Sequence, residues 1–293
     1  MSSWGLGLAV FAAFGYTFAS IFLKSALEKG VTAAQVNLIA NIAVGLVVQP
    51  MWLLDDPEVI NAAWHFPLIS CATFFVGQIF TFAALAKGDV SVATPLLGTK
   101  VILVTAINAI VFSVPIDMRW WIAALLGSLA VAVIASGAPS GQAKAVGTTA
   151  ILSVMAAFFF SLTDTLVQHW AGTTDPMAYL PAMFGSVGIL SIIYYAVTDR
   201  RAFTIPLRGR RSLVFGAFLL GIQAAAVFLS LAWTHDATVV NLLYSTRSLL
   251  SVILAWVGGA ALGLKDSEAG TRILLLRLLG AILLFASIAL ILA

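Results

Sequence analysis

Asp236-Ala-Thr-Val-Val-Asn-Leu-Leu-Tyr-Ser-Thr-Arg247-Ser-Leu-Leu-Ser-Val-Ile-Leu-Ala-Trp256-Val-Gly258 is the stretch whose reading decides the fold. It is an apolar run as long as a membrane-spanning helix, with one arginine near its middle. About ten residues precede that arginine in the span, or roughly 15 Å of helix at 1.5 Å per residue. That is half of a hydrocarbon core of ~30 Å. A guanidinium keeps its proton there and must find anions or water. The pattern returns 147 positions earlier, where Asp236 becomes Asp89, Thr246 becomes Thr99 and Arg247 becomes Lys100. In a chain of 293 residues this offset is close to half the length. Each half therefore places one cation at mid-depth of a span.

Composition widens the reading from one span to the whole chain. Hydrophobic residues make up 61% and charged residues 9%, with a mean hydropathy of +1.07, whereas a soluble domain carries about 25% charge. The apolar runs are long and unbroken rather than alternating, which predicts an all-α polytopic membrane protein and excludes a β-barrel. No basic stretch precedes the first apolar run, so no cleaved signal peptide is expected. Cys71 is the single cysteine, so no intrachain disulfide is possible. A net charge of +3 gives no reason to expect a nucleic-acid partner.

Ten spans are predicted, at about 4–26, 32–54, 66–86, 91–113, 119–137, 147–170, 177–198, 212–233, 238–260 and 272–292. Trp4, Trp52, Trp64, Trp120, Trp121, Trp170, Trp233 and Trp256 all fall near span ends, as an interfacial aromatic belt requires. The first and sixth spans share a polar face: Thr17, Ser20 and Lys24 in one, Ser161, Asp164 and Gln168 in the other. An offset of 144 superposes Ala13-Phe14 on Ala157-Phe158, Thr17 on Ser161, Ser20 on Asp164 and Lys24 on Gln168. Gln78 matches Gln223 at offset 145, and Arg119 with Leu125-Leu126-Gly127 matches Arg272 with Leu278-Leu279-Gly280 at offset 153. The chain thus reads as two five-helix repeats, 1–140 and 141–293. Five is odd, so the second repeat enters the membrane from the opposite side. Transporters use such inverted-topology repeats to form a site at the midplane.

Loop charge sets the orientation. Loops after odd-numbered spans hold Lys29, Lys87, Lys144, Arg200, Arg201, Arg208, Arg210, Arg211 and Lys265. Loops after even-numbered spans hold Arg119 against Asp55, Asp56, Glu58, Asp117 and Asp175. The positive-inside rule puts the odd loops in the cytoplasm and both termini outside, in what is expected to be a bacterial inner membrane.

Ten spans in two inverted halves, the stretch Ala84 to Pro95 with its proline early in the fourth span, and Arg119 through Gly127 opening the fifth resemble the drug/metabolite transporter superfamily, EamA-like branch. The resemblance covers the whole chain and rests more on architecture than on these loose motifs. It implies a secondary transporter or exporter of amino acids, sugars, nucleotide sugars, phosphorylated metabolites or drugs. The chain departs from the family at Asp117, where glutamate is frequent. It also departs in its loop charges, since many members are assigned cytoplasmic termini.

Lys100 and Arg247 are the leading site residues. Each has a plainer role open to it, pairing with Asp164 or with carbonyls, or snorkelling to an interface. Snorkelling from mid-depth is hard, and one carboxylate cannot satisfy two matched cations. An anion clamp is the better reading, with arginine offering a planar fork and lysine a point charge. Asp164 is either the fixed counter-charge of one of these cations or a group that exchanges protons. Tyr244, Ser248 and Ser251 share the Arg247 face. Tyr244 is the best placed of these to donate to a substrate, because serines in membrane helices commonly bond a carbonyl of their own helix. Gln78 and Gln223 are cavity-lining candidates by their twin placement, with inter-helix glue as the alternative. Ser20 and Tyr16 are further cavity candidates. No metal site and no cofactor are expected.

The sequence therefore predicts alternating-access transport of a small organic anion, phosphorylated or carboxylated, with a proton as the candidate coupling ion. The rival readings are a lipid or isoprenoid-phosphate flippase, an intramembrane enzyme acting on an anion, and a channel. No nucleophile-and-base set or Gly-rich phosphate loop supports the enzyme, and no ring of like charges supports the channel.

Overall fold

In lipid, every backbone N–H and C=O must be satisfied within its own segment, so long apolar runs wind into helices. The computed structural model describes residues 3–54, 64–87, 96–136, 143–171, 174–247, 250 and 271–292. Among them are ten α-helices and no strand: α1 (Ser3–Glu28), α2 (Ala33–Val48), α3 (His65–Lys87), α4 (Lys100–Ile110), α5 (Met118–Ser136), α6 (Ala143–Trp170), α7 (Pro176–Thr198), α8 (Leu207–Thr234), α9 (Ala237–Tyr244) and α10 (Thr271–Leu292). Six are long and apolar enough to cross a membrane: α1, α3, α6, α7, α8, and α2 with the 3-10 turn Gln49–Leu54 that continues it. The chain is thus a polytopic membrane protein.

Local signals fix the helix ends. Thr32 and Gln35 close a reciprocal capping box at the start of α2: Gln35 N donates to Thr32 Oγ1 (3.2 Å) and Thr32 N donates to Gln35 Oε1 (2.8 Å). Asp175 caps α7 by accepting from Met177 N at 2.8 Å, and Pro176 occupies the first turn, where a missing N–H costs nothing. His235, at φ 52°, ends α8 in the left-handed region, and Asp236 at once caps α9 through Val239 N. At the α5 entry Arg119 donates its backbone N–H and its guanidinium to Asp117, which holds the Asp117 carboxyl below its ordinary range. That pair is solvent-exposed, where ion pairs contribute little to stability.

Two elements differ from the sequence expectation. The fourth and ninth spans were expected as continuous helices over 91–113 and 238–260, but regular winding is interrupted beside each cation. The helix α4 begins at Lys100 behind a 3-10 turn, Leu97–Thr99, and α9 stops at Tyr244, with a turn at Ser245 before Arg247. At each interruption a side chain bonds back to a carbonyl three residues earlier. Thr99 Oγ1 donates to Leu96 O (2.8 Å), Ser245 Oγ to Leu242 O (2.6 Å) and Thr246 Oγ1 to Leu243 O (2.7 Å). Residues 88–95 and most of 248–270 lie outside the described residues.

The helices pack as crossed partners. The helix α1 lies on α8, and α3 on α6; α5 lies on α10; α2 is wedged between α7 and α8, while α4 touches α5 and α6, and α9 touches α1 and α4. Outward faces are apolar, with Phe11, Phe14 and Phe18 exposed on α1, Ile189, Ile192 and Ile193 on α7, and Phe215 and Phe218 on α8. Polar side chains such as Thr17, Asn41, Gln78, Thr105 and Asp164 are buried. This is the reverse of a soluble protein and suits a lipid surround.

Close approach replaces hydrophobic driving force between such helices. At Gly45 a Cβ would stand 2.9 Å from the Phe184 carbonyl oxygen of α7, a backbone atom that cannot rotate aside. Gly45→Val is expected to force α2 off α7 and to destabilise the protein by about 1–3 kcal/mol. Thermal unfolding in detergent checks this, with Gly7→Ala as the control, since a Cβ at Gly7 meets nothing within 4 Å. Equal melting of both variants would show that the crossing tolerates bulk.

Candidate functional site

Helical spacing aims side chains from six helices at one point. Tyr16 and Ser20 stand one turn apart on α1, Phe74, Gln78 and Phe82 recur at four-residue spacing on α3, and Gln223 and Val227 do so on α8. Lys100 enters from the start of α4, Phe160 from α6, and Tyr244 and Arg247 from the end of α9. Together they line a narrow cavity of about 590 Å³, its opening included. Of the sequence-predicted residues, Lys100, Arg247, Tyr244, Gln78, Gln223, Ser20 and Tyr16 all face it. Asp164 is 1% exposed and sits behind Lys100 rather than on the wall. Ser248 and Ser251 lie outside the described residues.

The two cations are held differently. Lys100 Nζ forms an ion pair with Asp164 Oδ2, and the same oxygen accepts from Asn241 Nδ2 at 2.6 Å. Arg247 has no carboxylate partner among the described residues. Its Cζ lies 4.4 Å from the Tyr16 ring centroid and 4.2 Å from that of Tyr244. The two rings meet edge to face at 79°, so the guanidinium sits in the corner between them. Ring quadrupoles stabilise a cation without neutralising it. Arg247 is 4% exposed, and its Nε has no hydrogen-bond partner among the described residues. A buried charged donor without a partner is costly unless a ligand completes it.

Some polar groups are already engaged within the protein. Tyr244 OH donates to Gln223 Oε1 at 2.8 Å, and Gln223 Nε2 donates to Leu220 O at 3.2 Å. Ser20 Oγ donates to Thr17 O in its own helix at 2.8 Å, the ordinary behaviour of a serine in a membrane helix. For Tyr244 and Ser20, contact with a ligand therefore requires a change of partner.

Sequence reasoning missed Phe160 and Asn241. Phe160 is the position 144 beyond Tyr16, so the repeat offset was enough to find it. Asn241 is the one amide side chain between Asp236 and Gly258, one helical turn before Tyr244. The repeat also predicts the local bonding. Thr17 Oγ1 donates to Ala13 O (2.8 Å) and to Arg247 O (3.4 Å), while its counterpart Ser161 Oγ donates to Ala157 O (2.7 Å) and to Lys100 O (3.2 Å). Lys100 Nζ lies 5.5 Å from the Phe160 ring, as Arg247 lies over Tyr16.

Apolar helices thus surround a buried, charged cavity, and comparison with known proteins adds a partial match. Residues 3–136 match the model of the EamA-like transporter family. Among solved structures, a crystal structure described only as that of a protein is similar over 96% of this chain and 95% of that one, with a TM-score of 0.70. At 15% identity that likeness concerns the fold alone. No curated protein matches the sequence.

Proposed function

We propose that the protein is a secondary transporter that moves a small organic anion, phosphorylated or carboxylated, by alternating access between two inverted five-helix repeats. The observation that carries the reading is Arg247: buried at mid-span on the cavity wall, cradled by two tyrosine rings, and lacking a carboxylate partner among the described residues. Lys100 and Arg247 act as an anion clamp, with Gln78 and Gln223 beside them.

Paired placement supports the inverted repeat. Tyr16 and Phe160, Gln78 and Gln223, Phe82 and Val227, Leu97 and Tyr244, and Lys100 and Arg247 are repeat counterparts, and all line the same cavity. The helix partners obey the same exchange, since α1 on α8 becomes α6 on α3 when the halves are swapped. The cavity departs from this symmetry at one end. Leu23 and Leu85 line it, whereas their counterparts Val167 and Ser230 do not, although all four are buried; Ser230 Oγ donates to Gly5 O at 2.7 Å.

A thermal-shift screen of the purified protein tests the substrate class. Anionic metabolites are expected to raise the melting temperature through mass action, and Arg247→Ala to abolish the shift. Stabilisation by a cation that is equal in the variant would overturn the reading.

Loop charge carries a proposed orientation as well. The basic loop from Arg200 to Arg211 is expected in the cytoplasm and Ala293 outside. The only native cysteine, Cys71, is buried, which keeps the background low for cysteine labelling in intact cells. A cysteine placed in that loop should resist a membrane-impermeant reagent until the cells are opened, and ready labelling in intact cells reverses the topology. If the proposed orientation holds, the end of the cavity at Leu23 and Leu85 faces the cytoplasm.

A further inference from the structure

Beside the clamp lies a second polar centre with unused bonding capacity. Asp164 and Asn241 are 1% and 2% exposed. Asn241 Nδ2 donates to Asp164 Oδ2, and among the described residues Asp164 Oδ1 and Asn241 Oδ1 are both without a donor. Two orphaned acceptors on touching, buried side chains lack one thing in common, a hydrogen to share. From this centre polar groups continue toward the end of α6. Thr105 and Thr238 hydroxyls lie 3.3 Å apart, Gln168 Oε1 accepts from Asn108 Nδ2 (3.2 Å) and Ala237 N (2.9 Å), and Asn108 Oδ1 stands 3.1 Å from His169 Nε2.

We infer that Asp164 is the binding site for a proton that travels with the anion, taken up on Oδ1 when Lys100 leaves it for the substrate. The inference rests on the anion-clamp reading above. Before loading, Lys100, Arg247 and Asp164 sum to a formal +1. An anion entering the cavity draws Lys100 away, and an ionised carboxylate without its counter-cation is strongly disfavoured in the membrane interior. A proton taken up from water forms an O–H bond at Asp164 Oδ1, and Asn241 Oδ1, on the side chain that already contacts Asp164, is an open acceptor among the described residues. Lys100 keeps its own proton and exchanges one anionic partner for another. With a monovalent anion bound and Asp164 neutral, the formal sum is again +1, so loading adds no charge to be carried through the low-dielectric core. Proton and anion thus assist each other's binding, which is the thermodynamic basis of symport. The charged and titratable groups facing this centre are Lys100 from α4 and, across the cavity, Arg247 and Tyr244 from the end of α9 and Tyr16 from α1. The helices α3 and α8 turn amides, Gln78 and Gln223, toward the cavity.

The probe is benzenesulfonate, an anion that does not itself titrate near neutral pH. Calorimetry on the purified full-length protein, run in two buffers of different ionisation heat, reads the protons taken up on binding. Wild type is expected to take up ~1 proton per anion bound, and Asp164→Asn to bind with none. Binding without proton uptake in the wild type, uptake retained in Asp164→Asn, or uptake replaced by a requirement for sodium would overturn the proposal. Infrared difference spectra give a readout independent of the anion and of the variant's yield. On acidification the wild type is expected to show a protonated-carboxyl band, beyond those of the other acidic residues, that is missing from the Asp164→Asn spectrum. That band without any anion binding would keep the proton site and sink the clamp, whereas anion binding without the band would sink the proton site alone.

Discussion

Arg247→Ala is expected to weaken binding of an anionic ligand by ten- to a hundredfold. The loss is that of a charge-assisted hydrogen bond, about 1.5–3 kcal/mol, converted at ~1.4 kcal/mol per tenfold. The effect is large because, among the described residues, no carboxylate neutralises Arg247: the Tyr16 and Tyr244 rings hold it in place without cancelling its charge. Arg247→Lys is expected to recover only part of the affinity, because a point charge replaces neither a planar fork nor its packing on ring faces. Lys100→Ala should lose affinity by a smaller factor, since its ion pair with Asp164 must be broken before the anion gains it. Titrating each purified variant with an anion found by the thermal-shift screen checks the order. Wild-type affinity in both alanine variants would mean that the clamp does not exist.

Asp164→Ala is the second large effect, and it concerns stability. Lys100 and Asp164 are both buried, so deleting the carboxylate strands an ammonium away from water. Breaking a buried pair in this way typically costs about 3–5 kcal/mol. Replacing both partners by apolar residues, Lys100→Met with Asp164→Leu, removes the stranded charge and is expected to restore most of that loss while abolishing anion binding. Melting temperatures of the two single variants and the double variant form the cycle that checks it. If Asp164→Ala alone melts like the wild type, Lys100 has another stabilising partner and the pair is incidental. Asp164→Asn should fall between, since it keeps the side-chain volume and an oxygen for Asn241.

Much of this arrangement was legible in the sequence because it follows from hydropathy and repetition. The run around Arg247 announced a helix with a cation at mid-depth, and the offset to Lys100 announced its twin. Other features depend on what one side chain does to the backbone beside it. Hydropathy treats 91–113 and 238–260 as unbroken, whereas α winding is interrupted at the cations, where Thr99, Ser245 and Thr246 bond back to carbonyls. The partner of Asp164 was also open from sequence alone. The crossing of helices decides it: Ser161, one turn from Asp164, donates to the Lys100 carbonyl, while Arg247 lies against α1, where the counterpart of Asp164 is Ser20. Tyr244 illustrates a further limit. Its position on the Arg247 face was readable, but its bond to Gln223 depends on how α8 and α9 meet.

The unequal tethering of the two cations sets an order of events. Among the described residues Arg247 has no carboxylate to displace, so under the proposed clamp an arriving ligand meets it first. Lys100 must first let go of Asp164, a rearrangement inside the protein whose speed does not depend on ligand concentration. Capture therefore divides into a diffusive contact at the arginine and a slower internal hand-over at the lysine. In a rapid-mixing trace this corresponds to one phase that accelerates with added ligand and one that levels off. The plateau belongs to the Lys100–Asp164 pair, and an arginine at position 100, with its forked grip on the carboxylate, would lower it.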